Sequence, residues 1–276
     1  MAGALWMVLA AVSFGLMGVF VKLGAASLDT VALVFWRTLF AVLLLGTVAL
    51  LRRQRFATPQ LGRHFKRGLI GYTSLLAYFY AIGHLPLSTA VTLNYTSPMF
   101  LALLSVLLLK EKLSRHALLA LLLGFVGVAL LLRPTFDGAA WQAGLLGLGS
   151  GLLAGWSYLH VRELGQAGEA EWRTVFYFAL ISTLGGGLLL LGRPWQPLTA
   201  ANLPWVLGLG VTATVAQLAM TRAYKVGRKL LVANLSYLTV VFSALFGALV
   251  WQQQLGAGEL LAMALIIVSG ILAGRR

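Results

Sequence analysis

The chain has 276 residues, of which 60% are hydrophobic and only 10% are charged, whereas soluble domains carry about 25% charged residues. Too few charges remain to cover a water-exposed surface, which excludes an ordinary soluble protein. The net charge of +14 does not indicate nucleic-acid binding, because the basic residues stand between hydrophobic runs, as topology signals do. The lack of cysteine excludes disulfides, thiolate metal sites and a cysteine nucleophile.

Apolar runs of spanning length recur along the whole chain. A transmembrane helix needs about 20 mostly apolar residues, and within such a run only a helix pairs every backbone group internally. In chain order the runs predict ten spans, at Ala4–Gly24, Thr30–Leu51, Gly68–His84, Ser88–Leu109, His116–Leu132, Trp141–Val161, Trp172–Leu191, Leu203–Thr221, Leu230–Val250 and Gly258–Gly274. We therefore predict an all-α integral membrane protein whose short connections make sequence neighbours antiparallel.

The distribution of Lys and Arg predicts the orientation. Seventeen of these residues, Arg67 among them, fall on the side of the N-terminus, and two, Arg133 and Arg193, fall on the other side. Lys22 and Arg37 lie within spans. Because Lys and Arg are enriched in cytoplasmic loops, we predict that both termini are cytoplasmic and that the chain is a multi-pass protein of a bacterial inner membrane.

The two halves of the chain resemble each other at an offset of about 141–142 residues. Residues 95–100 (YTSPMF) align with residues 237–242 (YLTVVF), and residues 21–24 align with residues 162–165. The offset divides the chain into five-helix repeats at residues 1–135 and 136–276. Since five is odd, the second repeat enters the membrane from the other side, so we predict an inverted repeat, a plan that recurs in secondary transporters.

Three segments in the first half carry a resemblance to a known family: residues 80–88 (YAIGHLPLS), 97–100 (SPMF) and 110–114 (KEKLS). With the ten spans, they resemble the EamA family of the drug/metabolite transporter superfamily, and in particular the YddG-like aromatic amino-acid exporters. The resemblance implies a central cavity lined by the first, third, fourth, sixth, eighth and ninth spans. The second half departs from the family pattern, with Val240 in place of a proline and Gln252–Gln254 in place of Leu-Gly-Glu.

Aromatic and hydrogen-bonding residues in the spans are the candidates for a binding site, since such walls suit an amphipathic solute. The predicted substrate-binding residues are Phe14, Met17, Arg37, Tyr78, Tyr80, Asn94, Tyr95, Pro98, Trp156, Gln217, Asn234 and Tyr237. Tyr158 belongs to the same aromatic set. Trp156 is expected to lie deeper than the other tryptophans, which stand near span ends, as interfacial residues do.

Two of these residues admit more than one role. Arg37 lies about 10 Å below the outer surface, where it could bind a substrate carboxylate, or could extend outwards or pair with Asp29. Pro98 removes a backbone donor in the fourth span, which predicts either a hinge at the cavity or a simple bend.

No Asp or Glu lies deep within a predicted span, although ion-coupled carriers usually place acidic relays there. We therefore predict a secondary transporter, an exporter of small amphipathic metabolites such as amino acids, driven by the solute gradient and working by alternating access about a midplane cavity. The alternatives are a nucleotide-sugar or organic-phosphate antiporter of the same superfamily, which would need several cavity cations, a channel, or an intramembrane enzyme using Ser150. We expect a small-molecule substrate, contact with membrane lipid, no nucleic acid, no cofactor or metal, no enzymatic activity, and a monomer or weak homodimer.

Overall fold

The computed structural model describes residues 2–97, 99–100, 104, 119, 122–124, 126–130, 140–227, 232 and 235–273. Within these ranges the chain forms helices and no strands, which confirms the all-α prediction. The helices are α1 (Ala2–Gly24), α2 (Thr30–Leu51), α3 (Leu61–His84), α4 (Leu87–Asn94), α5 (Trp141–Gln166), α6 (Glu171–Leu190), α7 (Leu203–Val226), α8 (Leu238–Trp251) and α9 (Ala257–Ala273). Of the predicted fifth span, His116–Leu132, only residues 119, 122–124 and 126–130 are among the described residues, and these are helical.

Four helices, α1, α2, α6 and α7, are long and apolar enough to cross a membrane. α8 and α9 are apolar but shorter, while α3 and α5 have spanning length but contain more polar residues and glycines. These helices agree with a multi-pass membrane protein. The count of ten spans and the cytoplasmic position of both termini stay predictions.

Basic residues gather at one end of the bundle, where α2 ends, α3 begins, α5 is followed by α6, and α7 ends. We call this the basic end. Its described cations are Arg52, Arg53, Arg55, Arg63, Lys66, Arg162, Arg173, Arg222 and Lys225. At the opposite end Lys22 Nζ donates a hydrogen bond of 2.5 Å to the Leu85 carbonyl, at the C-terminus of α3, where a cation is favourable.

The helices of the two predicted halves pack on each other in equivalent pairs. α1 packs on α7 and α3 packs on α5, while α2 packs on α6. The repeat offset makes α1 equivalent to α5, α2 to α6 and α3 to α7. Exchanging the two halves therefore converts the α1–α7 pair into the α5–α3 pair and leaves the α2–α6 pair unchanged. This pairing supports the inverted repeat, whose division at residues 135 and 136 stays a prediction.

Two spans are interrupted at equivalent places. α4 ends at Asn94 and is followed by a turn at Tyr95 and Thr96, because Pro98 has no N–H to donate to the Asn94 carbonyl. In the second half a turn at Tyr237, 142 residues after Tyr95, precedes α8. The second interruption therefore forms without the proline that Val240 replaces.

Candidate functional site

A cavity of about 60 Å³ lies inside the bundle, between α1, α2, α3, α5, α6 and α7 and the interrupted end of α4. This volume accommodates only a few water molecules. The predicted site residues in its wall are Phe14, Met17, Arg37, Tyr78, Asn94, Tyr95 and Gln217. Tyr158 lines it as well, and Phe178 of α6 adds a helix that the family resemblance does not include. The cavity thus combines aromatic rings with several polar side chains.

Two predicted site residues face elsewhere. Tyr80 lies in a groove at the end opposite the basic end, where its ring stacks on His84 with a centroid distance of 4.1 Å. Trp156 is 40% exposed, so its side chain is not buried inside the bundle, while its expected depth along the span stays a prediction. Because successive helical residues turn by about 100°, the inward positions of Ser157 and Tyr158 direct Trp156 away from the cavity.

The remaining predicted residues lie beside the cavity or outside the described part of the chain. Tyr237 is buried behind the cavity wall, with its ring centroid 6.4 Å from that of Tyr95. Tyr95 itself donates a hydrogen bond of 2.8 Å from its hydroxyl to Thr239 Oγ1, which ties the two interrupted spans together. Pro98 and Asn234 are outside the described residues.

One face of α3 supplies a second arginine, Arg67, which was predicted to lie in a loop. α3 begins at Leu61, seven residues before the predicted start at Gly68, so Arg67 lies on the helix and is only 3% exposed. Arg67, Gly71, Ser74 and Tyr78 all line the cavity. Their spacing of four, three and four residues places them on one helical face. This pattern is the feature of the sequence that could have predicted Arg67 as a site residue.

Arg37 and Arg67 meet around one aromatic ring. The Cζ atoms of Arg37 and Arg67 lie 5.8 and 4.0 Å from the centroid of the Phe178 ring. Arg37 Nε and Nη1 and Arg67 Nε are buried without a hydrogen-bond partner. Neither structural role considered for Arg37 holds, since its side chain is 3% exposed and Asp29 instead contacts Arg193, at 3.3 Å.

Burying two guanidinium groups in this way is costly. Each loses several kcal/mol of hydration, whereas a cation–π contact returns about 2 kcal/mol when desolvated. No carboxylate in the described part of the chain contacts either arginine. The described carboxylates have other partners: Asp29 with Arg193, Glu163 with His160, Glu169 with Arg173, Glu171 with Arg222, and Glu259 with the Gly256 amide. The cavity is therefore electropositive and favours a negatively charged ligand.

Hydrogen bonds hold the wall around Asn94 in place. Asn94 Nδ2 donates to Ser150 Oγ over 2.9 Å, and Ser150 Oγ donates to the Gly147 carbonyl over 2.6 Å. Gly151 allows the close approach of α4 to α5, because a Cβ there would lie 2.7 Å from the Leu93 carbonyl oxygen. The Ser150 hydroxyl thus serves packing between helices, and no described histidine hydrogen-bonds to it.

A polar network at the basic end joins the two halves outside the predicted spans. Thr58 Oγ1 and Arg173 Nη1 donate hydrogen bonds to the Glu169 carboxylate, and His64 Nε2 lies 3.5 Å from it. Burial favours a higher pKa for Glu169, but these hydrogen bonds and the charge of Arg173 outweigh burial and lower it. Burial lowers the pKa of His64 and outweighs the opposing effect of Glu169. At neutral pH the network therefore contains an ionised Glu169 and a neutral His64.

Comparison with known proteins gives consistent matches. Residues 1–133 match the EamA-like transporter family. The chain is 31% identical to a pseudopaline exporter of Pseudomonas aeruginosa over 99% of this chain and 96% of that protein. It is 30% identical to an uncharacterized transporter of Helicobacter pylori over 98% and 93% of the two chains.

A riboflavin transporter of Rhizobium johnstonii is 33% identical over 80% of this chain and 74% of that protein. A solved crystal structure of another protein superposes with a TM-score of 0.67 over 96% of both chains, at 19% identity. At that identity the structural match shows a shared fold.

Proposed function

The chain belongs to the EamA-like transporter family of the drug/metabolite transporter superfamily, and from that premise we propose that it exports small amphipathic metabolites by alternating access. The relatives named for what they carry are transporters of organic molecules, one of them an exporter. The chain covers most of their length, so the proposal concerns the whole chain and not one module of a larger assembly.

One observation carries this proposal: the cavity lies where equivalent residues of the two halves meet. Arg37 contacts Phe178, 141 residues later, and Tyr95 contacts Tyr237, 142 residues later. A residue contacts its own equivalent only near a two-fold axis. A cavity beside such an axis, with interrupted helices at its wall, is typical of substrate sites in transporters built from inverted repeats.

The contacts at the two ends of the bundle fit a carrier that opens one end at a time. At the basic end, Thr58 and His64 of the first half contact Glu169 of the second half. At the other end Asp29 of the first half contacts Arg193 of the second half. In alternating access, one set of contacts separates to admit the solute to the cavity while the other set stays closed.

The driving force in this proposal is the gradient of the solute. No carboxylate of the described residues lines the cavity, whereas proton- and sodium-coupled carriers usually use one within the membrane. An exporter of this kind needs no ion gradient and releases its solute wherever the solute concentration is lower.

Proteoliposomes test the transport function directly. Vesicles without an ion gradient are loaded with one unlabelled member of a panel (amino acids, riboflavin or 3-phenylpropanoate), and entry of the labelled compound is followed. We expect transient accumulation above equilibrium for at least one compound, since counterflow occurs in a carrier and not in a channel. Absence of counterflow across the panel, or transport only after a pH jump, would refute the uncoupled carrier.

The second candidate function, an organic-phosphate antiporter, gains support from Arg67. That function requires several cavity cations, and the structure brings two guanidinium groups to one ring. An obligatory exchanger would move its labelled solute only when unlabelled solute is present on the other side. Net efflux into solute-free buffer separates the exporter from this antiporter.

A further inference from the structure

We propose that the solute is an organic anion with an apolar body, whose carboxylate or phosphate group binds Arg37 and Arg67. This inference rests on the transport function proposed above and specifies the substrate class of the same cavity. It differs from the amino-acid prediction, because an aromatic amino acid such as phenylalanine is a zwitterion without net charge at neutral pH.

The two guanidinium groups approach the cavity from different helices. Arg37 comes from α2 and Arg67 from α3, and both lie within 6 Å of the Phe178 ring centroid. Both arginines also line the same cavity, so one ligand in it can contact both, through a single anionic group or through the two groups of a dianion. Their unpaired donors, Nε and Nη1 of Arg37 and Nε of Arg67, suit carboxylate and phosphate oxygens, which a planar guanidinium binds in parallel hydrogen bonds.

The rest of the cavity wall disfavours a cationic group. Its other polar residues are Ser, Asn, Gln and Tyr side chains without charge at neutral pH. The ammonium group of an amino acid would therefore face two positive charges and no described carboxylate. An organic acid without an ammonium group is attracted to the two guanidinium groups and avoids this repulsion.

Aromatic side chains define the other part of the solute. Phe14, Tyr78, Tyr95 and Tyr158 line the cavity with Phe178, and such rings pack against apolar or aromatic groups. The fitting ligand thus has one charged end and one ring or short hydrocarbon body.

Three compounds with the same body separate the charge classes: 3-phenylpropanoate is an anion, phenylalanine a zwitterion and phenethylamine a cation. Phenyl phosphate is a fourth probe, which distinguishes phosphate from carboxylate recognition. Isothermal titration of the purified full chain in detergent measures the dissociation constant of each. We expect at least one of the two anions to bind more tightly than phenylalanine and phenethylamine, with phenylalanine binding more tightly than phenethylamine.

Substitution of the arginines tests their role. Arg37→Gln and Arg67→Gln are each expected to weaken anion binding at least about 30-fold, as loss of one partner of a desolvated charge pair does. Arg63→Gln is the matched control, since this exposed arginine is on α3 one turn before Arg67. The lysine variants are expected to bind more tightly than the glutamine variants, because they keep the charge.

Thermal unfolding shows whether a loss of binding reflects a misfolded protein. Because each arginine is buried without a compensating charge, its replacement by Gln is expected to leave the unligated protein at least as stable as the wild type. The proposal is overturned if phenylalanine or phenethylamine binds as tightly as both anions, if neither anion binds, or if anion binding survives both Gln substitutions. Counterflow of an amino acid alongside any of these results would leave the transport function standing.

Discussion

Replacement of Gly71 by alanine is a sharp test of how Arg67 reaches the cavity. A Cβ at Gly71 would lie 2.2 Å from Arg67 Nη1, and 3.0 Å from both Phe178 Cε2 and Ser157 Oγ. Ordinary contacts to a Cβ begin at about 3.4 Å, so the guanidinium must move by roughly 1 Å while the ring and the hydroxyl shift slightly. The nearest atom is the end of a flexible side chain, and no backbone atom clashes.

The expected effects on stability and on binding differ. Alanine is about 1 kcal/mol better than glycine inside a helix, which offsets most of the cost of moving three side chains. We therefore expect the free energy of unfolding to change by about 1 kcal/mol or less. Displacing one of two arginines from the anion should cost about 2 kcal/mol of binding, which is about 30-fold in the dissociation constant.

Titration calorimetry with 3-phenylpropanoate and thermal unfolding of the same preparations measure both quantities. Gly149→Ala is the control, because a Cβ at that position in α5 meets no atom within 4 Å. It should raise or preserve stability and leave binding unchanged. Wild-type affinity in Gly71→Ala would show that Arg67 does not contact the anion, and a stability loss above about 3 kcal/mol would show that the arginine cannot move.

Three further outcomes follow from the contacts described above. Acidification should lower the melting temperature. Because folding lowers the pKa of His64 and of Glu169, the unfolded chain binds protons at these groups at a higher pH than the folded protein does, and protonation therefore favours unfolding. The melting temperature should begin to fall near the ordinary His pKa, about 6.5, and should continue to fall as the pH drops through the lowered pKa of Glu169. His64→Asn should remove the part of this decrease that begins near the His pKa. A higher melting temperature in acid would contradict the lowered pKa values. Trp156→Phe should leave anion affinity and counterflow unchanged, since Trp156 faces away from the cavity, and a tenfold weaker dissociation constant would place it at the site after all. Asn94→Ala should destabilise the protein by about 1–2 kcal/mol in thermal unfolding, through loss of its hydrogen bond to Ser150, and unchanged stability would mean that this bond does not hold α4 against α5.

Much of the helix pattern could be predicted from the chain because membrane spans are a local property. α2 begins at Thr30 and ends at Leu51, the predicted bounds, and α1, α6 and α9 differ from theirs by one or two residues. A hinge or bend was predicted from Pro98, and the end of α4 at Asn94 lies within one helical turn of it, the range over which the loss of one backbone donor acts. Composition and short-range spacing were sufficient for these features.

The positions of side chains in the site depend on contacts between helices that are far apart in the sequence. Arg67 was placed in a loop because its neighbours Arg63 and Lys66 end the apolar run, whereas α3 continues to Leu61 while packed against α5. Trp156 was predicted to line the site because it lies farther from the span ends than the other tryptophans, but distance along the span does not indicate which face of α5 points inwards. In a membrane, apolar residues are tolerated both on the face of a helix that contacts lipid and on the face that contacts other helices. Hydrophobicity therefore does not indicate which face packs inside the bundle.

The amino-acid sequence by itself determined that the chain is a helical membrane protein and which family it resembles. It also showed the resemblance between the two halves at an offset of about 141–142 residues. Each of these follows from local composition or from motifs that neighbouring residues carry. Only the tertiary structure decided that Arg37 and Arg67 meet at Phe178 while Asp29 pairs with Arg193. Charges on separate helices become partners only when packing sets the rotation and depth of each helix, and that packing turned an aromatic cavity into an electropositive one.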